Sequence, residues 1–315
     1  MNTKKSLLVG GVILFAVLIV IALLNFGQKE QKQSEKIKVV TSFYPLYFFT
    51  SQIAGDRVEI VNLTPAGAEP HEYEPTARDI SMIESSNLLV LNGGGLESWS
   101  EDIKSNLNNT KTKIVIAGDG LTTKTMEEEE EHEEEEYHHE GIDPHIWLSP
   151  ILAGQMVDKI ESGLALVDPN NSSYYKSNAK LIKNKLAVLD EEFKKGLVSC
   201  GSKNIITSHA AFAYLASTYE LNQVSIAGLS SEEEPSPRQM AEIAKFAKNN
   251  NVKYIFFESL ISPKLSETIA REIGAQTLLL NPIEGLTENE VKSGKDYFSE
   301  MRNNLLNLKI ALECK

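Results

Sequence analysis

The chain has 315 residues and a formal net charge of −13, enough length for two domains that each bury a core. The charge is concentrated: residues 127–140 hold ten glutamates and no Lys or Arg, which leaves −3 for all the rest. No basic patch stands out, and this argues against a nucleic-acid partner.

Residues 1–27 contain Leu7–Leu24, a run of 18 residues with no charge. As a helix it would span about 27 Å, close to the ~30 Å hydrocarbon core of a bilayer. No Ala-x-Ala pattern follows it, and no cysteine lies nearby. It reads as an uncleaved membrane anchor, with a cleaved secretory signal as the alternative. Lys4 and Lys5 before the segment are balanced by Lys29, Lys32 and Lys36 after it, so the lysines leave the orientation open. Residues 28–36 form a polar tether.

From residue 37 the pattern alternates between short apolar runs and helical stretches. In the first lobe, 37–167, strands are predicted at 37–42, 58–64, 87–93 and 113–118. A helix over YPLYFFTSQIA is stopped by Gly55, a second is opened by the capping pattern Thr76-x-x-Asp79, and a third lies around 97–107. The apolar runs barely alternate, as expected of strands buried on both faces of a parallel sheet. Residues 168–198 form a link: apolar positions 181, 182, 186, 189 and 193 predict one helix of about 25 residues, roughly 38 Å long. Such a rigid rod argues against wide hinge opening. In the second lobe, 199–315, the runs NIITSH, NQVSIAG, VKYIFFES and TLLLNP are strand-like, with helices near 211–219, 237–250, 263–274 and 293–312. VVTSFYP (39–45) echoes IITSHAA (205–211), and KIVIAGDGLT (113–122) echoes LLLNPIEGLT (278–287). The fold class is therefore α/β, with two similar lobes, mainly parallel sheets and one long connecting helix.

The six histidines fall into two sets. His71, His145 and His209 stand alone, each just beyond a predicted strand. Ligands of open α/β sheets bind outside the carboxyl ends of the strands, so a cleft between two facing lobes would collect all three. Neutral imidazole is a common zinc donor, and a tetrahedral site needs about four donors. Glu284, in the loop after the last strand, is the natural fourth, with water or Glu69 as alternatives. Asp143 positions the His145 loop, and Trp147 packs. His132, His138 and His139 lie within the acidic run of the loop 126–141. That loop reads as solvated, and its imidazoles offer weak secondary zinc sites. Three histidines plus water would also suit a zinc hydrolase, but neither HExxH nor GxSxG is present. Cys200 and Cys314 are too far apart in sequence for a CxxC pair. They flank the second lobe and are predicted to form one disulfide in an extracytoplasmic compartment, two free thiols being the alternative.

The segments GAEPHEYEPTARD, DPHIWLSP, ITSHAAFAYLA, EEEPSPRQ and LNPIEGLT, in this order across about residues 37–312, resemble the ZnuA/TroA-type (cluster A-I) solute-binding proteins of zinc and manganese ABC transporters. The resemblance implies two α/β lobes joined by one long helix, with the metal held in the cleft between them. Carried onto this sequence, the metal-ligand positions fall on His71, His145, His209 and Glu284. It further implies a monomer that is not an enzyme and works on the extracytoplasmic face. Such a protein gives its ion to an ABC permease and, through it, to the ATPase. Manganese-type members carry a glutamate where His209 stands, in line with the preference of Mn²⁺ for oxygen donors. Histidine there, with the acidic His-bearing insertion, points to the zinc branch. The family's usual lipoprotein cysteine is missing, which fits anchoring by the N-terminal helix. An adhesin-like surface role would use the same fold.

Overall fold

The computed structural model describes residues 36–107, 111–124, 141–231, 233 and 235–315. The proposed anchor, most of the tether, and His132, His138 and His139 lie outside these residues. Among the described residues no helix is long and apolar enough to cross a membrane.

The first lobe contains β1 (Ile37–Thr41), α1 (Tyr44–Ala54), β2 (Val58–Asn62), α2 (Ala77–Ser85), β3 (Leu88–Leu91), α3 (Ser100–Asn106) and β4 (Lys113–Ile116). Its sheet is parallel throughout, in the order β2-β1-β3-β4. The second lobe repeats the plan with β5 (Asn204–Thr207), β6 (Asn222–Ser225), β7 (Tyr254–Phe257) and β8 (Gln276–Leu279), parallel and in the order β6-β5-β7-β8. Strand for strand the two sheets have one topology, and the echo VVT/IIT falls on the corresponding strands β1 and β5. The second echo is displaced. Lys113 pairs with Leu88 and Gln276 with Tyr254, so β4 matches β8 two residues earlier than the shared GLT suggests. The loop after β8 is longer by those two residues, and it is the loop that carries Glu284.

Both faces of each sheet are covered, which is why the strands hardly alternate. Val39, Leu88 and Val90 face a core continuous with Trp147, Phe256 and Tyr297, shared by the two lobes. Val40, Leu89 and Leu91 face a separate cluster with Ile83 and Trp99. In the second lobe Ile206 and Ile255 pack with Ile243 and Ile269.

The link is α5 (Ser172–Leu197), 26 residues, or about 39 Å; a 3-10 turn, Pro169–Asn171, precedes it. Its buried side includes Tyr175, Ala179, Ile182, Leu186, Leu189, Phe193 and Leu197. Beside it runs α4 (Pro150–Val167), an 18-residue helix. Gly163 within it is a close-packing residue: a Cβ there would lie 2.4 Å from a Val115 methyl.

After β5 come α6 (Ala213–Thr218), α7 (Pro237–Asn249), α8 (Lys264–Ile273), α9 (Glu288–Lys292) and α10 (Tyr297–Ala311). The single helix expected at 293–312 is therefore two. Gly294 takes a left-handed φ of 79°, and Asp296 caps a new start through the Ser299 N–H. The expected capping box at Thr76 and Asp79 is present. Cys200 and Cys314 are joined by a disulfide, where Lys315 N–H donates to Ser199 O and Ser202 N–H to Leu312 O.

Candidate metal centre

Four side chains meet between the lobes, each from the carboxyl end of a strand. His71 lies in the loop from β2 to α2, and His145 lies just before the 3-10 turn Ile146–Leu148. His209 follows β5 and Glu284 follows β8. His145, His209 and Glu284 are 0 to 1% exposed, while the His71 side chain retains 10%.

Carboxylates fix two of the rings from behind. Asp143 Oδ1 lies 2.7 Å from His145 Nδ1 and accepts the His145 backbone N–H at 2.9 Å. Glu258 Oε1 lies 2.6 Å from His209 Nδ1 and accepts the Ser208 hydroxyl. With Nδ1 donating outward, each Nε2 lone pair points into the cleft. Glu258 did not emerge from the sequence, although one signal was available: a carboxylate ends the apolar run YIFFE. The first lobe repeats this frame, since Ser42 donates to Glu97 at 2.6 Å. There Phe43 stands where His209 stands, and it packs on Trp147 at 4.7 Å.

Glu284 is presented by an unusual turn. Ile283, a β-branched residue, has a φ of 58°, a left-handed conformation that costs on the order of 1–3 kcal/mol. Its N–H donates to Asn281 Oδ1 at 2.8 Å. Asn304 of α10 clamps Asn281 by accepting its N–H and donating to its carbonyl. Across the cleft, Trp147 Nε1–H donates to Pro282 O at 2.7 Å. The residue after His145's turn start thus braces the loop of Glu284.

The donor atoms are spaced for one ion. His145 Nε2 is 3.1 Å from Glu284 Oε1, 3.3 Å from His71 Nε2 and 3.4 Å from His209 Nε2. Glu284 Oε1 is 3.5 Å from His71 Nε2 and 3.4 Å from His209 Nε2. A regular tetrahedron with edges of about 3.3 Å has its centre about 2.0 Å from every corner, the normal Zn–N and Zn–O distance. Four acceptors aimed at one point need either protons or a cation between them. The donor set fits zinc on distance and on chemistry. Among the described residues these four form the one cluster of its kind with potential to hold a metal.

Electrostatics agrees with a positive charge at the centre. Burial pushes the Glu284 carboxyl up, but His209, His145 and His71 outweigh it and hold the group well below the usual carboxylate range. Burial opposes a charged His209, yet the Glu258 and Glu284 carboxylates raise its pKa well above that of free imidazole. Asp143 and Glu284 raise His145 in the same way against burial. Glu69 is pushed up to about 8 by burial and then by the Glu284 charge. It sits beside the cluster, not in it, its Oε1 accepting the His71 N–H at 3.4 Å.

A family model described as "Zinc-uptake complex component A periplasmic" matches residues 39–311. The chain belongs to this family. It is similar to the "High-affinity zinc uptake system protein ZnuA" of Bacillus subtilis, 41% identical over 96% of this chain and 97% of the relative. It is also similar to the "Zinc-binding protein AdcA" of Streptococcus pyogenes serotype M1, 37% identical over 88% of this chain and 56% of the relative. The chain thus spans about half the length of the AdcA relatives it matches. Among solved structures, the Zn(II)-bound ZnuA-like domain of Streptococcus pneumoniae AdcA aligns with a TM-score of 0.75 and 37% identity, covering 89% of this chain and all of that one. Family membership accounts for the paired lobes and the long α5 between them.

Proposed function

We propose that this family member captures Zn²⁺ outside the cytoplasm and delivers it to an ABC permease and its ATPase, with His71, His145, His209 and Glu284 as the ligands. The observation that carries the reading is the convergence of three imidazole nitrogens and one carboxylate oxygen, five of their six separations being 3.1–3.5 Å and all of them within 4.8 Å. The zinc-named relatives support it. Three nitrogen donors favour Zn²⁺ over Mn²⁺. Four protein donors leave no open position for a catalytic water, which disfavours a hydrolase. The shared core under both lobes resists separation of the lobes, so release requires a ligand-bearing loop to move. The ion reaches the site on the His71 side, where a cavity of about 330 Å³ is lined by His71, Pro144, Leu229 and Glu233. The protein works as a monomer, held to the membrane by Leu7–Leu24.

Titration of the purified chain with zinc against a fluorescent chelator tests the reading. One tight site is expected, with Mn²⁺ bound far more weakly. Equal affinity for both ions, or no tight site, would overturn it.

Two further outcomes are expected. Glu258→Gln keeps the shape but removes the charge behind His209, and supporting partners of this kind are worth about 10–100-fold in metal affinity. Competition titration of that variant, with a thermal melt to verify the fold, checks the effect. Deletion of residues 127–139 removes His132, His138 and His139 and nine glutamates, yet none of the four proposed ligands. A segment that must be ordered to coordinate loses about 1–2 kcal/mol per residue, whereas the preformed cleft is spared that cost. The deletion variant should keep one zinc at nearly the full affinity and lose only weaker ions. Loss of the tightest site would show that the acidic loop supplies a primary ligand.

A further inference from the structure

The two sheets share a register at the strands that carry the supports of the site. Val40 of β1 is paired with Leu89 of β3, and Ile206 of β5 with Ile255 of β7. Continuing from these pairs, Thr41 and Ser42 match Thr207 and Ser208, and Phe43 matches His209. The residue after β3, Asn92, likewise matches the residue after β7, Glu258. Glu258 holds the His209 ring. Asn92 has no such histidine to hold, since Phe43 stands there, yet it is a completely buried polar residue. The bond that Glu258 makes to Ser208 is made in the first lobe by Glu97, reaching back from the following turn. Its Oε1 accepts the Ser42 hydroxyl at 2.6 Å and the Asn92 N–H at 2.7 Å, and its Oε2 accepts the Gly93 N–H at 2.9 Å.

The Asn92 side chain is turned instead toward a different ligand. Its Nδ2 donates to Pro144 O at 2.9 Å and to Gly93 O at 3.0 Å, and Pro144 is the residue before His145. Two carbonyls facing the amide call for its NH2 group, which fixes its orientation. Its Oδ1 is buried with no hydrogen-bond partner among the described residues, a cost that an apolar residue would be spared. The backbone here is held as firmly. Gly118 N–H donates to Asn92 O at 2.8 Å, and a Cβ on Gly94 would lie 3.3 Å from Pro144 Cα. Pro144 has no N–H of its own to donate, so its carbonyl is the group by which this residue is held. Glu97 thus seats the turn at 92–93, and Asn92 carries that placement to the carbonyl beside His145. Tyr214 of the second lobe donates to the preceding carbonyl, Asp143 O, at 3.0 Å.

We infer that Asn92, seated by Glu97, is a positioning residue for the metal ligand His145 and the first lobe's counterpart of Glu258. The inference rests on the ligand set proposed above, and its test separates the two. Zinc affinity is measured by competition titration on the full chain with and without Asn92→Ala, in the parent, in H145A and in H209A. In the parent Asn92→Ala should weaken zinc binding about tenfold, the lower end of what supporting partners contribute. In H145A the same substitution should cost less than about twofold, because the ring it acts on is gone, while in H209A the full cost should remain. A merely structural role would lower the thermal midpoint and leave the affinity cost alike in both backgrounds. Glu97→Gln keeps Asn92 but removes one acceptor beneath the turn at 92–93. It should show the same dependence on His145, and it carries the test if Asn92→Ala does not fold. No affinity cost in the parent, or a cost that persists in H145A, would overturn the inference and leave the ligand set standing. Parental affinity in H145A alone would overturn the ligand set, and this inference with it.

Discussion

His209→Ala is expected to weaken zinc binding by about 10²–10³-fold while leaving the fold intact. A zinc ion in a closed four-ligand protein site is bound with roughly 10–16 kcal/mol, so one ligand in four is worth on the order of 3–4 kcal/mol. His209 is completely buried, and no water can take its place without entering a space lined by Glu258 and Ser208. The loss also strips Glu258 of its imidazole partner and leaves a buried carboxylate held by one hydroxyl, which adds to the cost of the charged state. The hydrophobic clusters of the second lobe contain no part of His209, so circular dichroism should report the same fold, while the thermal midpoint without metal falls because Glu258 has lost its buried partner. Competition titration checks the affinity. A variant that still binds zinc as the parent does would remove His209 from the site, and with it the argument for a nitrogen-rich centre.

The fold was legible where burial is simple. Runs such as LLVL at Leu88–Leu91 are apolar at every position because one face meets the shared core and the other the α2 and α3 cluster. The length of α5 was legible because its apolar spacing persists over 26 residues. Glycine was harder to read. Gly294 ends α9 by going left-handed, while Gly163 sits inside α4 because Val115 leaves no room for a Cβ. The sequence offers the same letter for a break and for close packing. The four donors could be found because each follows a strand, a rule of open α/β sheets. Of their supports, Asp143 was readable two residues before His145, but the distant ones were not. Glu258 acts on a residue 49 positions away, and the left-handed turn at Ile283 depends on Asn304 from a different helix. Trp147, read as packing, is packed and also ties the His145 turn to the Glu284 loop by its indole N–H.

Acid should release the ion well before ordinary imidazoles would require it. Zinc binds the neutral ring, so each ring protonated in the free protein must lose a proton when the ion arrives. In the metal-free protein the His209 ring has its pKa held well above the usual 6.5 by Glu258 and Glu284 against burial, and His145 is raised by Asp143 and Glu284. The sign follows: a raised pKa extends proton competition upward in pH, so affinity climbs through neutrality and levels off only above both pKa values. Glu284, held well below the usual carboxylate range, stays ionised and adds no competition above about pH 5. Glu69, with its pKa near 8, supplies another proton that the arriving cation would displace. Each displaced proton changes affinity tenfold per pH unit, so with one to three protons displaced a fall from pH 7.5 to 5.5 should weaken binding by about 10²–10⁶-fold. Competition titrations across that range, paired with calorimetry in buffers of different ionisation enthalpy, give the affinity and the number of protons released. Asp143→Asn should lower the His145 pKa and shift its part of the profile to lower pH, even as it loosens the ring. An affinity that stays flat down to pH 6.5 would mean that the carboxylates behind these rings do not hold protons on them. The role of Asp143 and Glu258 would then be reduced to orientation.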